Sequence, residues 1–155
     1  MQLTDEQISA VEMVLNKDIG VITGGPGTGK TTVLRAVVQT LAKLERSCLL
    51  VAPTGRAAKR LSEVTKVPAR TIHRFLATSG DDTSIDGARE EIKLSDYDYV
   101  IVDEASMVDA ELAAKLLRNV DNSRVFFIGD VNQLPSIGPG RVLGDMIDSG
   151  RVPVA

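Results

Sequence analysis

Short apolar runs alternate along the chain with longer stretches in which apolar residues recur every three or four positions. The short runs are continuously apolar, which is typical of strands buried on both faces, and they occur at residues 19–23, 47–52, 99–102 and 125–128. The longer stretches predict helices at residues 30–45, 54–61, 71–76, 109–118 and 141–148. Strands that alternate with helices predict an α/β protein, with a mostly parallel β-sheet and helices on both faces.

Two stretches lie outside this alternation. Near the amino end, Thr4 and Gln7 have the spacing of a capping box, and apolar residues follow at helical spacing (Ile8, Val11, Val14 and Leu15). Residues 78–96 are polar and rich in turn formers, so we expect a surface loop or excursion there. A chain of 155 residues can bury one core, and we predict a single domain over residues 1–155.

The composition, 43% hydrophobic and 25% charged, is that of an ordinary soluble globular protein. The first residues do not resemble a signal peptide, and no apolar run approaches the length of a membrane span. The single cysteine, Cys48, lies in an apolar run and is predicted to be a small buried residue rather than a nucleophile. We therefore expect a cytoplasmic protein without a membrane partner.

Charge is distributed unevenly along the chain. Residues 56–74 contain six basic residues and one acidic residue, whereas residues 81–111 contain eleven acidic residues and two basic ones. The net charge of −3 argues against a uniformly basic nucleic-acid-binding protein, but it allows a local basic face. Two solvated surfaces, or one face for a polyanion and another for a metal, both fit this pattern.

Residues 24–31 read Gly-Gly-Pro-Gly-Thr-Gly-Lys-Thr and match the phosphate-loop pattern G-x-x-x-x-G-K-[ST] in full. A predicted strand precedes the loop and a predicted helix follows it, as phosphate binding by backbone N–H groups at a helix N-terminus requires. Lys30 can reach the β- and γ-phosphates, and the Thr31 hydroxyl can ligate Mg²⁺. The predicted ligand is ATP with Mg²⁺, and the predicted nucleotide-binding residues of this segment are Gly25, Pro26, Gly27, Thr28, Gly29, Lys30, Thr31 and Thr32.

Two acidic residues follow the third predicted strand. Asp103 could hold Mg²⁺ through water, and Glu104 could act as general base towards an attacking water. Adjacent acidic residues can also serve simply as charges at a helix N-terminus. Gln133, after the fourth predicted strand, is either a γ-phosphate contact or a polar loop residue. Because ligands of parallel sheets bind at the carboxyl ends of strands, these residues predict one shared site.

Two further side chains have alternative interpretations. Gln7 could read the edge of adenine through its amide, which both donates and accepts hydrogen bonds, but the residues alone favour its role in the capping box. His73 is the only histidine of the chain, so a zinc site is not expected. Its position in the basic stretch is compatible with an ordinary surface histidine.

The motifs together resemble those of the superfamily 1 DNA helicases, and most closely the RecD-type branch. The segments that carry the resemblance lie, in order, at residues 4–7, 24–31, 51–58, 71–75, 103–107 and 129–135, and they cover nearly the whole chain. The resemblance implies that Gln7 reads adenine, that Lys30, Thr31, Asp103, Glu104 and Gln133 serve ATP hydrolysis, and that single-stranded DNA is contacted by Thr54, Arg56, Thr71 and His73.

The resemblance also implies a RecA-like P-loop fold and a role in DNA repair and recombination. Helicases of this type place ATP between two RecA-like domains, and the second domain supplies an arginine finger. We therefore expect the chain to be the first motor domain of a 5′–3′ helicase, monomeric by itself and slow in ATP turnover. A non-motor nucleotide-binding or regulatory ATPase module is the alternative, and a small-molecule kinase is a third. Binding of single-stranded DNA would discriminate between them.

Overall fold

The computed structural model describes residues 2–24, 29–78, 97–118, 123–130 and 142–155. Within these ranges five strands form one sheet, and every strand pair in it is parallel. In chain order the strands are β1 (Ile19–Thr23), β2 (Cys48–Ala52), β3 (Ala69–Thr71), β4 (Tyr99–Val102) and β5 (Arg124–Gly129). They lie side by side in the order β1-β5-β4-β2-β3, which confirms the predicted α/β class with a parallel sheet.

One helix precedes β1, one follows β5, and the others lie between strands along the chain. Their bounds are α1 (Asp5–Asn16), α2 (Lys30–Lys43), α3 (Gly55–Thr65), α4 (Ile72–Thr78), α5 (Ala110–Arg118) and α6 (Val142–Ser149), and a short 3₁₀ turn spans Ala105–Met107. None of the helices in the described ranges combines the length and the apolar character that crossing a membrane requires. Most of the predicted surface loop, residues 79–96, lies outside the described residues, while Thr78 belongs to α4.

Capping side chains account for the starts of α1 and α3. The capping box predicted at the amino end is present, because Thr4 Oγ1 accepts from the Gln7 N–H at 3.2 Å and Gln7 Oε1 accepts from the Thr4 N–H at 2.9 Å. The prediction for α3 was too short. Thr54 is its N-cap rather than its first residue, with Oγ1 accepting from the Ala57 N–H at 3.1 Å, and the helix continues to Thr65.

The sheet is buried on both faces, since consecutive strand residues enter two different apolar clusters. Val100 and Val102 join the cluster that includes side chains of α4, α5 and α6, whereas Ile101 joins the cluster with α1, α2 and α3. This explains why the strands are continuously apolar rather than alternating. Cys48, at the start of β2, is only partly exposed, and burial raises the pKa of its thiol to about 12, as expected of an unreactive side chain.

Strand β3 was not predicted. It has three residues, all half-buried, it lies at the edge of the sheet beside β2, and Pro68 precedes it. The Ser62 hydroxyl of α3 accepts from the Ala69 N–H at 2.8 Å, so a tertiary contact helps to hold the strand in place. A run this short has too few positions for its periodicity to be recognised.

Polar contacts at the amino ends of the strands set their alignment. Asp98, before β4, accepts at Oδ2 from the Ser47 N–H at 2.9 Å, and its own N–H donates to Ser47 Oγ at 2.8 Å. At the opposite end of these strands, the Asp103 N–H donates to the Val51 carbonyl at 3.0 Å. The alignment of β2 and β4 therefore determines where Asp103 emerges from the sheet.

Candidate functional site

The carboxyl ends of three neighbouring strands bring the predicted site residues to one edge of the sheet. Thr23, the last residue of β1, is paired with Gly129 of β5, and Val102, the last residue of β4, is paired with Phe127 of β5. Gly24, Asp103 and Asp130 directly follow these three strands. The structure thus agrees with the prediction that these strand ends share one edge, and it places β5 between the other two.

The phosphate-loop segment connects β1 to α2. Its middle residues, Gly25, Pro26, Gly27 and Thr28, lie outside the described residues. Gly29 has a φ of +84°, a left-handed conformation that glycine adopts without a steric penalty. Lys30 begins α2, and its Nζ donates to the Gly24 carbonyl, so the lysine joins the two ends of the loop. Thr31 is exposed in the first turn of α2, next to the half-buried Thr32.

The Gln7 side chain contacts this loop. A Cβ atom on Gly29 would collide with Gln7 Nε2, so the amide lies directly against the glycine. Its Oε1 already accepts from the Thr4 N–H, which confirms the capping role that the residues alone favour. The capping box therefore orients Gln7 so that its Nε2 lies at the loop, and capping is compatible with contact to a ligand there.

The acidic pair lies at the end of β4 and does not cap a helix. Asp109 caps the following helix instead, accepting from the Leu112 N–H at 2.7 Å, and Glu104 makes no side-chain cap to the 3₁₀ turn. Glu104 has a φ of +51°, which is uncommon for a residue with a side chain and marks a locally strained backbone. Glu104 therefore makes no capping hydrogen bond, while both interpretations of Asp103 and Glu104, as site residues and as charges at a helix N-terminus, stay predictions.

The surroundings of Asp103 raise the pKa of its carboxyl above the ordinary value. Burial raises the pKa of its carboxyl, and the neighbouring Glu104 charge adds to the rise. The Glu104 backbone N–H and the positive charges of Arg60 and Lys30 act in the opposite direction. Burial disfavours the ionised form of this half-buried carboxyl, and a nearby positive charge favours it. A divalent cation bound at Asp103 would supply that charge, so this carboxylate could hold one. Arg60 was not assigned to the site from sequence, although it lies in the basic stretch.

Gly129 allows the 3₁₀ turn to pack against the end of β5. A Cβ atom there would lie 2.8 Å from Leu143 Cδ2 and 3.1 Å from the Ser106 backbone nitrogen. Close packing at this point places the segment after Glu104 beside Asp130, which is buried. Gln133 lies outside the described residues, so its two interpretations stay predictions. The sequence indicated that this strand end belonged to the site, but it gave no signal for the contact with Ser106.

The basic segments emerge at the same sheet edge, after β2 and β3. Ala52 is paired with Thr71, so the residues that follow these two strands are neighbours. Arg56 and His73 are exposed, and the Thr71 hydroxyl accepts from the Arg74 N–H at 3.1 Å. Thr54 is occupied as the α3 cap, although its hydroxyl hydrogen can still be donated. The segments that carry the four predicted DNA-contact residues therefore leave the same edge of the sheet, next to the strand that ends at the acidic pair.

Replacing Asp103 with asparagine is expected to raise the melting temperature of the free chain at pH 7. Since the pKa of Asp103 is raised in the fold, the folded state is penalised for ionising this carboxyl above its unfolded pKa of about 4. The gain should shrink as the pH falls towards that value and should vanish below it, where both states are protonated. Thermal denaturation between pH 4 and 8 measures this, with Asp148→Asn, an exposed carboxyl, as the control. A lower melting temperature for Asp103→Asn throughout would contradict it.

Comparison with known proteins identifies relatives over most of the chain. The AAA domain family matches residues 7–139. The chain is 40% identical over 140 residues to the ATP-dependent RecD2 DNA helicase of Deinococcus radiodurans, a match that covers 89% of this chain and 19% of that protein. It is 34% identical over 168 residues to the RecBCD enzyme subunit RecD of Mycolicibacterium smegmatis, covering 93% of this chain and 30% of that one.

A solved structure shares the fold. Bacteroides Pif1 bound to single-stranded DNA matches with a TM-score of 0.69 and 23% identity, over 96% of this chain and 36% of that chain. The chain spans less than a third of the length of the RecD2 helicase and of the RecD subunit named above. The chain belongs to the AAA domain family, and the resemblance of its motifs to the RecD-type superfamily 1 helicases is confirmed.

Proposed function

We propose that this chain is the ATP-binding motor domain of a 5′–3′ DNA helicase, which couples Mg²⁺-dependent ATP hydrolysis to movement along single-stranded DNA and to duplex unwinding. The observation that carries the proposal is the arrangement of strand ends at one sheet edge. The phosphate-loop segment and the acidic pair follow β1 and β4, and the basic segments follow β2 and β3. Because β4 is paired with β2, the two groups of residues are direct neighbours.

The residues of the loop fit a triphosphate. In the proposed complex, Gln7 would contact adenine, the backbone of residues 25–29 would surround the phosphates, and Lys30 would exchange its bond to Gly24 for the β- and γ-phosphates. The side chains of Thr31 and Thr32 would lie at the helix end nearest the phosphates. Thr31 and Asp103 would hold Mg²⁺, which supplies charge stabilisation at the phosphate oxygens.

Glu104 and Gln133 complete the proposed hydrolytic site. The Glu104 carboxylate would accept a proton from the attacking water, and Gln133 would contact the γ-phosphate. A second RecA-like domain would supply an arginine finger, and the relatives are long enough to contain one. Absence of such a finger typically lowers the hydrolysis rate by about 10³–10⁵-fold. We therefore propose slow turnover for this chain alone, as a monomer, and a cytoplasmic motor for repair and recombination in its complete form.

The DNA face is proposed to consist of Thr54, Arg56, Thr71 and His73. Several other basic residues of the 56–74 stretch are also exposed, and these are Lys59, Arg60, Lys66 and Arg74. Hydroxyl, imidazole, guanidinium and backbone N–H groups are the donors that bind DNA phosphates without reading sequence. Such a basic surface would form one side of a groove that follows a single strand. The DNA bound in the Pif1 structure is consistent with a strand at this kind of fold.

Replacing Arg56 with alanine is expected to weaken binding of a fluorescent oligo-dT and to make binding less salt-dependent. Each phosphate contact on a single strand contributes about 0.7 to the slope of log K against log salt, so the slope should fall by about that amount. Arg46 is the matched control, because it is exposed at the opposite end of β2. Fluorescence anisotropy between about 50 and 200 mM salt covers the informative range.

The outcomes of this titration separate the candidate functions. Steep salt dependence in the wild-type chain, reduced by Arg56→Ala and unchanged by Arg46→Ala, supports the motor. Absent or salt-independent DNA binding by a chain that still binds ATP would favour the non-motor nucleotide-binding module. Equal effects of the two substitutions would show only general charge attraction and would contradict the assigned DNA face.

A further inference from the structure

The Ser106 hydroxyl is buried without a hydrogen-bond partner. Among the residues that the structure describes, it is the buried side-chain polar atom for which no partner is found. Leaving such a group unpaired is costly, and native proteins pair the great majority of theirs. An unpaired hydroxyl in a packed region indicates stored strain, a bound water or ion, or a partner that arrives in another state of the protein.

Ser106 lies close in sequence to the proposed hydrolytic residues, so a hydrogen bond formed there could affect them. It is the middle residue of the 3₁₀ turn that directly follows Asp103 and Glu104. Two backbone hydrogen bonds define the turn, since the Glu104 carbonyl accepts from the Met107 N–H at 3.0 Å and the Ala105 carbonyl accepts from the Val108 N–H at 3.1 Å. The Ser106 hydroxyl takes no part in them and can still form a hydrogen bond.

The 3₁₀ turn contacts Gly129 at the end of β5, and it is joined through the backbone to Glu104. On one side, the Ser106 backbone nitrogen packs against Gly129, with only 3.1 Å to the position of a Cβ atom there. On the other side is Glu104, whose left-handed conformation costs free energy and persists only where the surrounding structure holds it. A new hydrogen bond at Ser106 would restrain the turn and, through it, the direction of the Glu104 carboxylate.

We propose that Ser106 is a positioning residue whose hydroxyl gains its hydrogen bond only when a nucleoside triphosphate is bound, and that this bond holds Glu104 in place. The inference rests on the proposed function, since it assumes that the γ-phosphate lies beside Asp103 and Glu104. Gln7, which lies against Gly29, marks the proposed adenine end of the ligand. Because the γ-phosphate is the part of the ligand assumed to lie near Ser106, a triphosphate should induce the new hydrogen bond and a diphosphate should not.

The test is Ser106→Ala in the 155-residue chain, measured with Mg²⁺ and either ATPγS or ADP. The melting temperature without nucleotide should stay equal or rise, because an unpaired buried hydroxyl is removed. Calorimetric titration should show about tenfold weaker binding of ATPγS and unchanged binding of ADP. Single-turnover ATP hydrolysis should fall by at least the same factor. Ser106→Cys, which is close in size and retains a weak S–H donor, should give intermediate values.

Ser123→Ala provides the matched control. The Ser123 hydroxyl already donates to the Tyr97 carbonyl at 2.6 Å, at the opposite end of the sheet. Its loss should lower the melting temperature without nucleotide and leave the ratio of ATPγS to ADP affinity unchanged.

Three results would overturn the proposal. The first is a lower melting temperature of free Ser106→Ala, since the hydroxyl would then be paired already. The second is an equal change in ATPγS and ADP affinity, and the third is no change in either. The proposed function fails separately if the wild-type chain binds neither nucleotide, whereas the proposal on Ser106 alone fails if the wild type binds both and Ser106→Ala behaves identically.

Discussion

Lys30→Ala is expected to lower ATP turnover by about 10²–10³-fold and to weaken binding of ATPγS severely, because it removes the positive charge aimed at the phosphates. The position of the lysine supports this expectation. Its Nζ donates to the Gly24 carbonyl, so the side chain reaches from the start of α2 to the residue that follows β1. Calorimetric titration with Mg²⁺ and ATPγS measures the affinity, and circular dichroism checks that the variant is folded.

Lys43→Ala is the matched control for this experiment. Lys43 is the last residue of the same helix and is exposed, so its loss removes an equal charge far from the loop. We expect unchanged nucleotide binding for Lys43→Ala. Lys30→Arg should also bind poorly, because a planar guanidinium does not fit a site built for a compact ammonium. If Lys30→Ala bound ATPγS with wild-type affinity, the phosphate loop would not be part of the nucleotide site.

Glu104→Gln is expected to separate binding from hydrolysis. Glutamine has nearly the same shape as glutamate but cannot accept the proton of the attacking water, and the loss of a general base typically lowers the rate by about 10²–10⁴-fold. ATPγS affinity should stay close to that of the wild type. Single-turnover assays with protein in excess over radiolabelled ATP measure the rate even when turnover is slow.

The control for Glu104→Gln is Glu111→Gln. Glu111 is exposed on α5 and pairs with Lys115 at 3.5 Å, an exposed pair that contributes about 1 kcal/mol or less. Its replacement should change neither binding nor hydrolysis. If Glu104→Gln hydrolysed ATP at the wild-type rate, another group would have to act as the base. If it lost nucleotide binding, the carboxylate would have a role in affinity instead.

Much of the site could be read from local sequence because local rules determine it. The left-handed turn before Lys30 requires a glycine, and Gly29 supplies it. Thr4 and Gln7 cap α1 through contacts that span only three residues. Such contacts are visible in a sequence because both partners lie within one helical turn.

The other features of the site depend on contacts between segments that are distant in the chain. Gln7 could be recognised as a capping residue, but only the packing of α1 beside α2 brings its Nε2 to Gly29. Ser106 and Gly129 carry no motif signal for their mutual contact, since they are more than twenty residues apart. The effect of Arg60 on Asp103 likewise arises because α3 packs against β2, the strand next to β4.

The alternation of apolar runs with amphipathic stretches was sufficient to establish a parallel α/β sheet, because burial on both faces requires continuously apolar strands. Periodicity carries no information about strand order. Only the tertiary structure inserts β5 between β1 and β4, adds the three-residue β3 at one edge, and pairs Val21 of β1 with Val154 at the other. These pairings join residues far apart in the chain, and their free energy comes from hydrogen bonds and packing that no short segment contains.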